Sequence, residues 1–567
     1  MPQSNDQFFL PINALESLVT EETIERELHR TVHPSALKNS NLPSKIARNC
    51  RKLFAILTYV KKGNLITVFL DEQMTDSDLP LKVPLAVLRQ ENQEELPKVF
   101  ENWTWRDIQD FCHAQWAFLA PVFDKVHDHY ELDNNVIFPF IEDGESSLRQ
   151  GGYSEVWRVR IHQAHQRLRD SSTTGKEPLF AIKRLFSADS DEFKRETDML
   201  QALSKLKHPH VLQLLTTYKF RGRYHLIFPY AKCNLRELWN SISNVDEMWV
   251  AWSLRQILGI ASGLMQIHCF RSREAKYSIL PNLAPEGGLN SLEGAEEWYG
   301  RHGDLKPENI LWFDDMDENS GQGVLVIADF GLARFHRWES KSKVDPKTIG
   351  GTVTYAPPDV ALHSNISRAY DIWSLGCLYL EFITWLVDGS QYLDNFGEAR
   401  IAKCADSISD DTFYTLVYDN NLASLRATVS LGVQSWIKKL HDHPKCSSFI
   451  QEMLDLISER LLLVEPDKRI SSKQLNEELS CMLDRATKDP SYLVEPKAVS
   501  VKLRSRPEDE IPRDTASPLC TDLIRFDPTY VLDSEVSLRI LDIARRSRAS
   551  FVSTDCVKWG RNSPSII

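Results

Sequence analysis

Three side chains on two short segments give this 567-residue chain its candidate chemistry. In HGDLKPENILWF, Asp304 and Asn309 stand five positions apart on a stretch that Pro307 keeps from being helical. In VLVIADFGLAR, Asp329 precedes Phe330 and Gly331 at the end of a very apolar strand. Groups of these types handle protons or hold a hard metal ion. Upstream, FAIKRL sets Lys183 inside an otherwise apolar strand, where an ammonium is costly to bury unless an anion meets it. Glu196 could supply a partner carboxylate, from a helix whose apolar members are Phe193, Leu200 and Leu203. In RQGGYSEVW, Gly151, Gly152 and Tyr153 precede a strand, and glycines there let backbone N–H groups approach a polyphosphate. Singly, these are a plain turn and a snorkelling lysine. In this order they are what moving a phosphoryl group from a nucleotide needs: a cradle, a cation, metal-holding groups and a carboxylate near the attacking hydroxyl.

The elements that must position them read as α+β. Short β-like runs, VIFPFI, EVWRVRI and LFAIKRLF, begin near residue 135, and long helical patterns follow, including MWVAWSLRQILGIASGLMQIHCF and YDIWSLGCLYLEFITWL. Ahead of them, residues 1–134 read as mostly helical. Ile46, Cys50, Leu53, Phe54 and Leu57 form one apolar stripe, and Thr104 with Asp107 resembles a capping box. NLITVFL fits a strand or a buried helical turn. The aromatics Trp103, Trp105, Phe111, Trp116 and Phe118 read as core. From 485 to 567 the chain is punctuated by prolines and ends in an expected amphipathic helix carrying Val536, Ile540 and Ile543 on one face.

Composition narrows the function class. The net charge is −12, with 67 basic against 79 acidic residues, which argues against a protein devoted to non-specific nucleic-acid or membrane binding. None of the ten cysteines forms a CxxC pair, so they read as buried, reduced thiols and not as zinc ligands. The N-terminus lacks a basic and apolar leader, and no run approaches a membrane span. An intracellular protein of cytoplasm or nucleus is expected.

With DLKPEN, DFG and DIWSLG in order, the chain resembles the eukaryotic-type protein kinase family over residues 135–484. The wording YGRHGDLKPENILWF and the helical extension resemble serine/threonine kinase-like proteins of filamentous fungi. The resemblance implies a bilobal fold, with a small β-rich N-lobe and a larger helical C-lobe. It implies ATP and Mg2+ as cofactors and a serine- or threonine-bearing protein as substrate. Asp304 would be the catalytic base, Lys306 would steady the γ-phosphate, and Asn309 and Asp329 would hold the metal. Lys183 would hold the α- and β-phosphates, oriented by Glu196. Gly151, Gly152, Tyr153 and Ser154 would form the phosphate loop. Val156, Ala181 and Leu311 would sandwich the purine, with Phe228 as gatekeeper and Pro229, Tyr230 and Ala231 as hinge. Leu200, Phe330 and His302 would stack as a spine anchored by Asp371, and Asp359 would pair with Arg469.

Four departures accompany the likeness. Arg149 and Ser154 stand where the phosphate loop's first and third glycines are expected. Gly303 replaces the arginine before the catalytic aspartate, and APPD stands for APE. His268 and His302 are 34 positions apart, leaving room for an insert at about 270–300. Without arginine at 303, activity is expected to survive removal of phosphate from the segment holding Ser340, Ser342, Thr348, Thr352 and Thr354, unless Arg334 or Arg337 substitutes. Control is then expected from the N-terminal region or a partner docked on it. Two other readings stay open: a pseudokinase acting as a nucleotide-binding scaffold, favoured by the poor glycine loop, and a small-molecule phosphotransferase.

Overall fold

The structure, a computed structural model, describes residues 8–31, 41–82, 97–141, 148–150, 154–169, 178–205, 207–269, 298–314, 322–330, 334–337, 353–362, 366–401, 411–419 and 424–496. All lie in the first of two compact units, Met1–Ala498 and Val499–Ile567. The expected amphipathic helix around Val536 and the glycines of the phosphate loop lie outside the described residues.

The N-terminal stripe builds its own core. Ile46, Cys50, Leu53, Phe54 and Leu57 are all buried, although the helix breaks at Cys50 into Leu42–Asn49 and Arg51–Tyr59. NLITVFL resolves as helix, Ile66–Asp71, because Ile66 and Phe69 then share one buried face. The capping box forms. Thr104 Oγ1 accepts from the Asp107 amide at 3.2 Å, and Asp107 Oδ2 accepts from the Thr104 amide at 3.2 Å, opening Trp105–Ala114. Phe69, Phe100, Trp103 and Phe111 close this core through edge-to-face and stacked contacts. His165 ties the helices to the next region: Ile12 N donates to its Nε2 at 3.0 Å, while Nδ1 lies 3.0 Å from the Pro121 carbonyl.

Seven strands then form one sheet: β1 (His129–Glu131), β2 (Phe140–Ile141), β3 (Leu148–Gln150), β4 (Ser154–Ile161), β5 (Leu179–Leu185), β6 (Thr216–Phe220) and β7 (Arg223–Pro229). Their spatial order is β1-β6-β7-β5-β4-β2, with β3 also on β4. The sheet therefore takes in residues ahead of position 135. Strand alternation divides β5: Phe180 and Ile182 enter a core with Phe138, Ile161 and Tyr218, and Ala181 and Lys183 face the other way.

Helices dominate the rest. Glu247–His268 is capped by Asp246, whose side chain accepts from the Trp249 amide. Ala369–Asp388 is buried from Tyr370 to Val387, as expected of a helix apolar on all sides. No helix among the described residues is long and apolar enough to cross a membrane. The cysteines depart from expectation. Cys50 and Cys377 are buried thiols, but Cys269 and Cys481 are exposed, since one caps a helix end and the other faces outward from Ser472–Lys488.

Two histidines give the fold an acid limit. Burial pushes both His210 and His225 down to about 4. His210 sits where Gly259 lets the long helix approach, since a Cβ there would lie 2.1 Å from its ring. Between pH 6.5 and about 4 the unfolded chain binds the extra protons, so stability is full above 6.5 and is lost as pH falls through that window. At about 1.36 kcal/mol per unit, His225 costs about 2 kcal/mol at pH 5, and the less deeply buried His210 somewhat less. The denaturant midpoint should fall between pH 7 and pH 5, and His225→Gln should flatten that fall. Equal midpoints at both pH values would contradict this assignment.

Candidate active site

Register builds the upper wall. Lys183 is paired with Val156 on β4 and Leu226 on β7, and Ala181 is paired with Phe228. Directly opposed residues share a face, so Val156, Ala181, Lys183, Leu226 and Phe228 line one side of the sheet. Tyr230 and Ala231 follow β7 directly and are half-buried, with Arg158 over the Tyr230 ring at 5.7 Å. Leu311 enters from below, on the Ile310–Phe313 strand, opposite Val326. It packs against the same core as Ala181 and Ala231. Ser154 opens β4, whereas Gly151, Gly152 and Tyr153 lie outside the described residues.

The lower wall is polar and crosslinked. Lys306 Nζ lies 2.7 Å from Asp304 Oδ2, and Asn309 Nδ2 donates to the same oxygen at 2.9 Å and to the Asp304 carbonyl at 2.8 Å. The Asn309 carbonyl accepts from Ala328 N at 2.9 Å, which ties this loop to the residue before Asp329. Asp329 holds φ +61°, a left-handed conformation that aspartate tolerates better than most side chains. Its Oδ1 lies 3.5 Å from Lys183 Nζ, joining the two walls. Glu196 is on Ser190–Ser204, its side chain outside the described part.

One buried carboxylate sets the loop's position. Asp371, fully buried, accepts from His302 N and Gly303 N at 2.8 Å each, and its Oδ2 lies 2.9 Å from His268 Nε2. Burial alone would raise its pKa, but the bonds from His268 and the Gly303 amide outweigh that and hold it below the ordinary carboxylate value. Gly303 adopts φ +84°, where a side chain would be strained. His302 Nε2 reaches the Ala328 carbonyl at 3.0 Å, and its ring lies 5.1 Å from Phe330. Leu200 and Phe330 are buried in one core.

Asp359 and Arg469, expected as a pair, meet bidentately at 2.6 and 3.2 Å, both nearly inaccessible. Sequence reasoning missed a second buried network. Glu381 accepts from Arg236, Tyr355 and Arg400 at 2.8, 2.8 and 3.2 Å, and Arg236 also lies 3.3 Å from Glu308. An acid inside LYLEFITW was the available signal, because a charge there demands partners.

Asp329 and Asn309 suit a hard divalent cation. Asn309 Nδ2 is committed to Asp304, which leaves the amide oxygen as the atom that would face a cation, and an all-oxygen donor set is what Mg2+ prefers.

The protein kinase domain family model matches residues 300–479. A probable serine/threonine-protein kinase of Arabidopsis thaliana is 27% identical over 245 residues, 42% of this chain and 27% of that protein. Cysteine-rich receptor-like protein kinase 25 of the same plant is 28% identical over 252 residues, 44% of this chain and 30% of its own length. Lectin-domain containing receptor kinase VI.4 is 26% identical over 239 residues, 41% and 28% respectively. The chain thus spans under a third of the length of these curated relatives. With the sheet above and the helices below, these matches support a eukaryotic-type protein kinase domain in this chain.

Proposed function

We propose that the chain is a serine/threonine protein kinase that transfers the γ-phosphate of ATP to a protein hydroxyl, inside the cell, in cytoplasm or nucleus. The observation that carries this reading is the Asp304–Lys306–Asn309 cluster, fastened through Gly303 to Asp371 and through the Asn309 carbonyl to Ala328, next to the Asp329 that pairs with Lys183. Asp304 would accept the hydroxyl proton and orient the nucleophile. Lys306 would steady the γ-phosphate and Lys183 the α- and β-phosphates, with Glu196 orienting Lys183. Asn309 and Asp329 would hold Mg2+, which when bound neutralises charge developing on the phosphates. Val156, Ala181 and Leu311 would enclose adenine, and Phe228, Tyr230 and Ala231 would bound its edge. Residues 135–484 would be the kinase domain, with His129–Glu131 added to its sheet from the region before it, and the helical residues ahead of that strand would be regulatory. Likeness to filamentous-fungal proteins rests on the wording of the catalytic segment.

Arg149 and Ser154, standing for two loop glycines, favour a second reading, a pseudokinase that binds nucleotide as a scaffold. A radiolabelled-phosphate transfer assay with magnesium and a generic peptide separates the two: incorporation supports the kinase, and its absence with retained nucleotide binding supports the scaffold. Lys183→Met should depress transfer about 10²-fold or more, because misplaced phosphates lose the alignment that in-line transfer requires. A wild-type rate in the purified variant would reduce Lys183 to a strand residue.

A further inference from the structure

Away from the candidate active site, a cleft of about 1400 Å³ opens between the helical region and the kinase sheet. Its walls are the turn after Arg51–Tyr59, the Trp105–Ala114 helix, the residues following β1 and the turn between β6 and β7. In a chain of net charge −12, it is lined by five lysines and arginines, Lys61, Lys62, Lys82, Arg106 and Arg221, against three carboxylates. Two of those carboxylates are already taken: Asp107 lies 3.0 Å from Lys62, and Asp133 lies 3.5 Å from Lys82. That leaves Asp110 against Lys61, Arg106 and Arg221. Among the described residues, the side chains of Lys61 and Arg106 make no ion pair or hydrogen bond, and Arg221 engages one nitrogen, Nε, on the Asn134 carbonyl at 3.3 Å. Two of these cations stand where the backbone prefers another residue. Lys61 closes the Arg51–Tyr59 helix at φ +60°, its amide on the Thr58 carbonyl and the Lys62 amide on the Leu57 carbonyl. Glycine is usual there. Arg221 and Gly222 make the two-residue turn between β6 and β7, at φ +49° and +70°. Such a turn prefers Asn-Gly. Backbone strain of this kind gathers at functional sites.

We propose that the cleft docks an extended acidic segment of a partner protein, with apolar side chains of that segment resting against Phe8 and Tyr59. The charge balance calls for an anion. The size calls for a length of chain, since small-molecule pockets run to roughly 300–1,000 Å³, and the three free cations come from three separate elements. The lining carboxylates argue against nucleic acid, whose phosphates would meet them as like charges. Phe8 and Tyr59 line the cleft yet are 61% and 57% exposed, and the Tyr59 ring is set edge-on to Phe118 at 5.9 Å. Exposed aromatic rings beside free cations suit a segment that mixes carboxylates with apolar side chains. Because the walls come from both regions, an occupant would touch the helical region and the kinase sheet at once. The expected control by a docked partner thereby gains a place in the molecule.

The test is fluorescence anisotropy of the full chain with a labelled peptide of glutamate and phenylalanine residues, beside its glutamine counterpart and a single-stranded oligonucleotide. The acidic peptide should bind, more weakly as salt rises, and the glutamine peptide should bind at least about 10-fold more weakly still. Lys61→Gly combined with Arg221→Asn should weaken the acidic peptide about 10-fold, which is what two exposed charge pairs supply. The same substitutions install the residues that the two backbone positions prefer, so the melting temperature should hold or rise by about 1–3 °C. Binding lost while stability is kept is the signature of cations placed for a partner. No measurable binding of the acidic peptide, equal affinity for the glutamine peptide, or unchanged affinity in the double variant would overturn the proposal. Tighter binding of the oligonucleotide overturns it in favour of nucleic acid. A fall in the variant's melting temperature overturns it too, because the two cations would then serve the fold. The readout needs no phosphoryl transfer by this chain, so its failure and that of the kinase reading are distinguishable.

Discussion

Asp304→Asn should abolish measurable phosphoryl transfer while nucleotide still binds. The substitution preserves size, and the carboxamide oxygen can still accept from Lys306 and Asn309, which meet Asp304 Oδ2 at 2.7 and 2.9 Å. What disappears is the negative charge that receives the hydroxyl proton. Loss of a positioned general base typically costs roughly 10²–10⁴-fold. The wall that would hold the nucleotide, Val156, Ala181 and Phe228 on the sheet, is untouched. Radiolabel transfer read beside calorimetric ATP binding separates these effects. Equal transfer rates in variant and wild type would show that Asp304 is not the base.

The second large effect is on stability. Arg469 spends its donors on Asp359 and on the carbonyls of Ala369, Leu463 and Val464, at 2.6–3.2 Å. Arg469→Met should cost about 3–5 kcal/mol, because a carboxylate is left buried without its counter-charge. Against a total of roughly 5–15 kcal/mol, that is severe. Asp359→Asn should cost less, since its oxygen still accepts and the three carbonyls keep the guanidinium engaged. Removing both charges should recover part of the loss, but not all, because those carbonyls then lack a donor. Denaturant titration of the singles and the double gives the coupling, and strict additivity would mean the pair contributes nothing jointly.

Legibility in the sequence followed distance along the chain. Asp304, Lys306 and Asn309 lie within one hexapeptide, and their mutual bonds are short-range consequences of a proline-stiffened loop. The stripe from Ile46 to Leu57 and the Thr104 capping box were equally local. The acid Glu381 showed in the sequence but its partners did not, because Arg236 and Arg400 reach it from different helices and a charge pattern on any one of them says nothing of the others. NLITVFL was ambiguous because a short apolar run satisfies both periods, and packing against Phe100 and Phe111 decided it. Exposure of Cys269 and Cys481 depended on where their helices end and face.

Asp371 fixes the order in which this molecule can come apart. Its carboxylate belongs to the most deeply buried helix, and it grips the two amides immediately before Asp304. Local opening in proteins begins where few buried contacts must be broken. The segment before Asp304 is a loop by shape, yet it is fastened to a helix buried from Tyr370 to Val387. The placement of Asp304 should therefore be lost with the core and not before it.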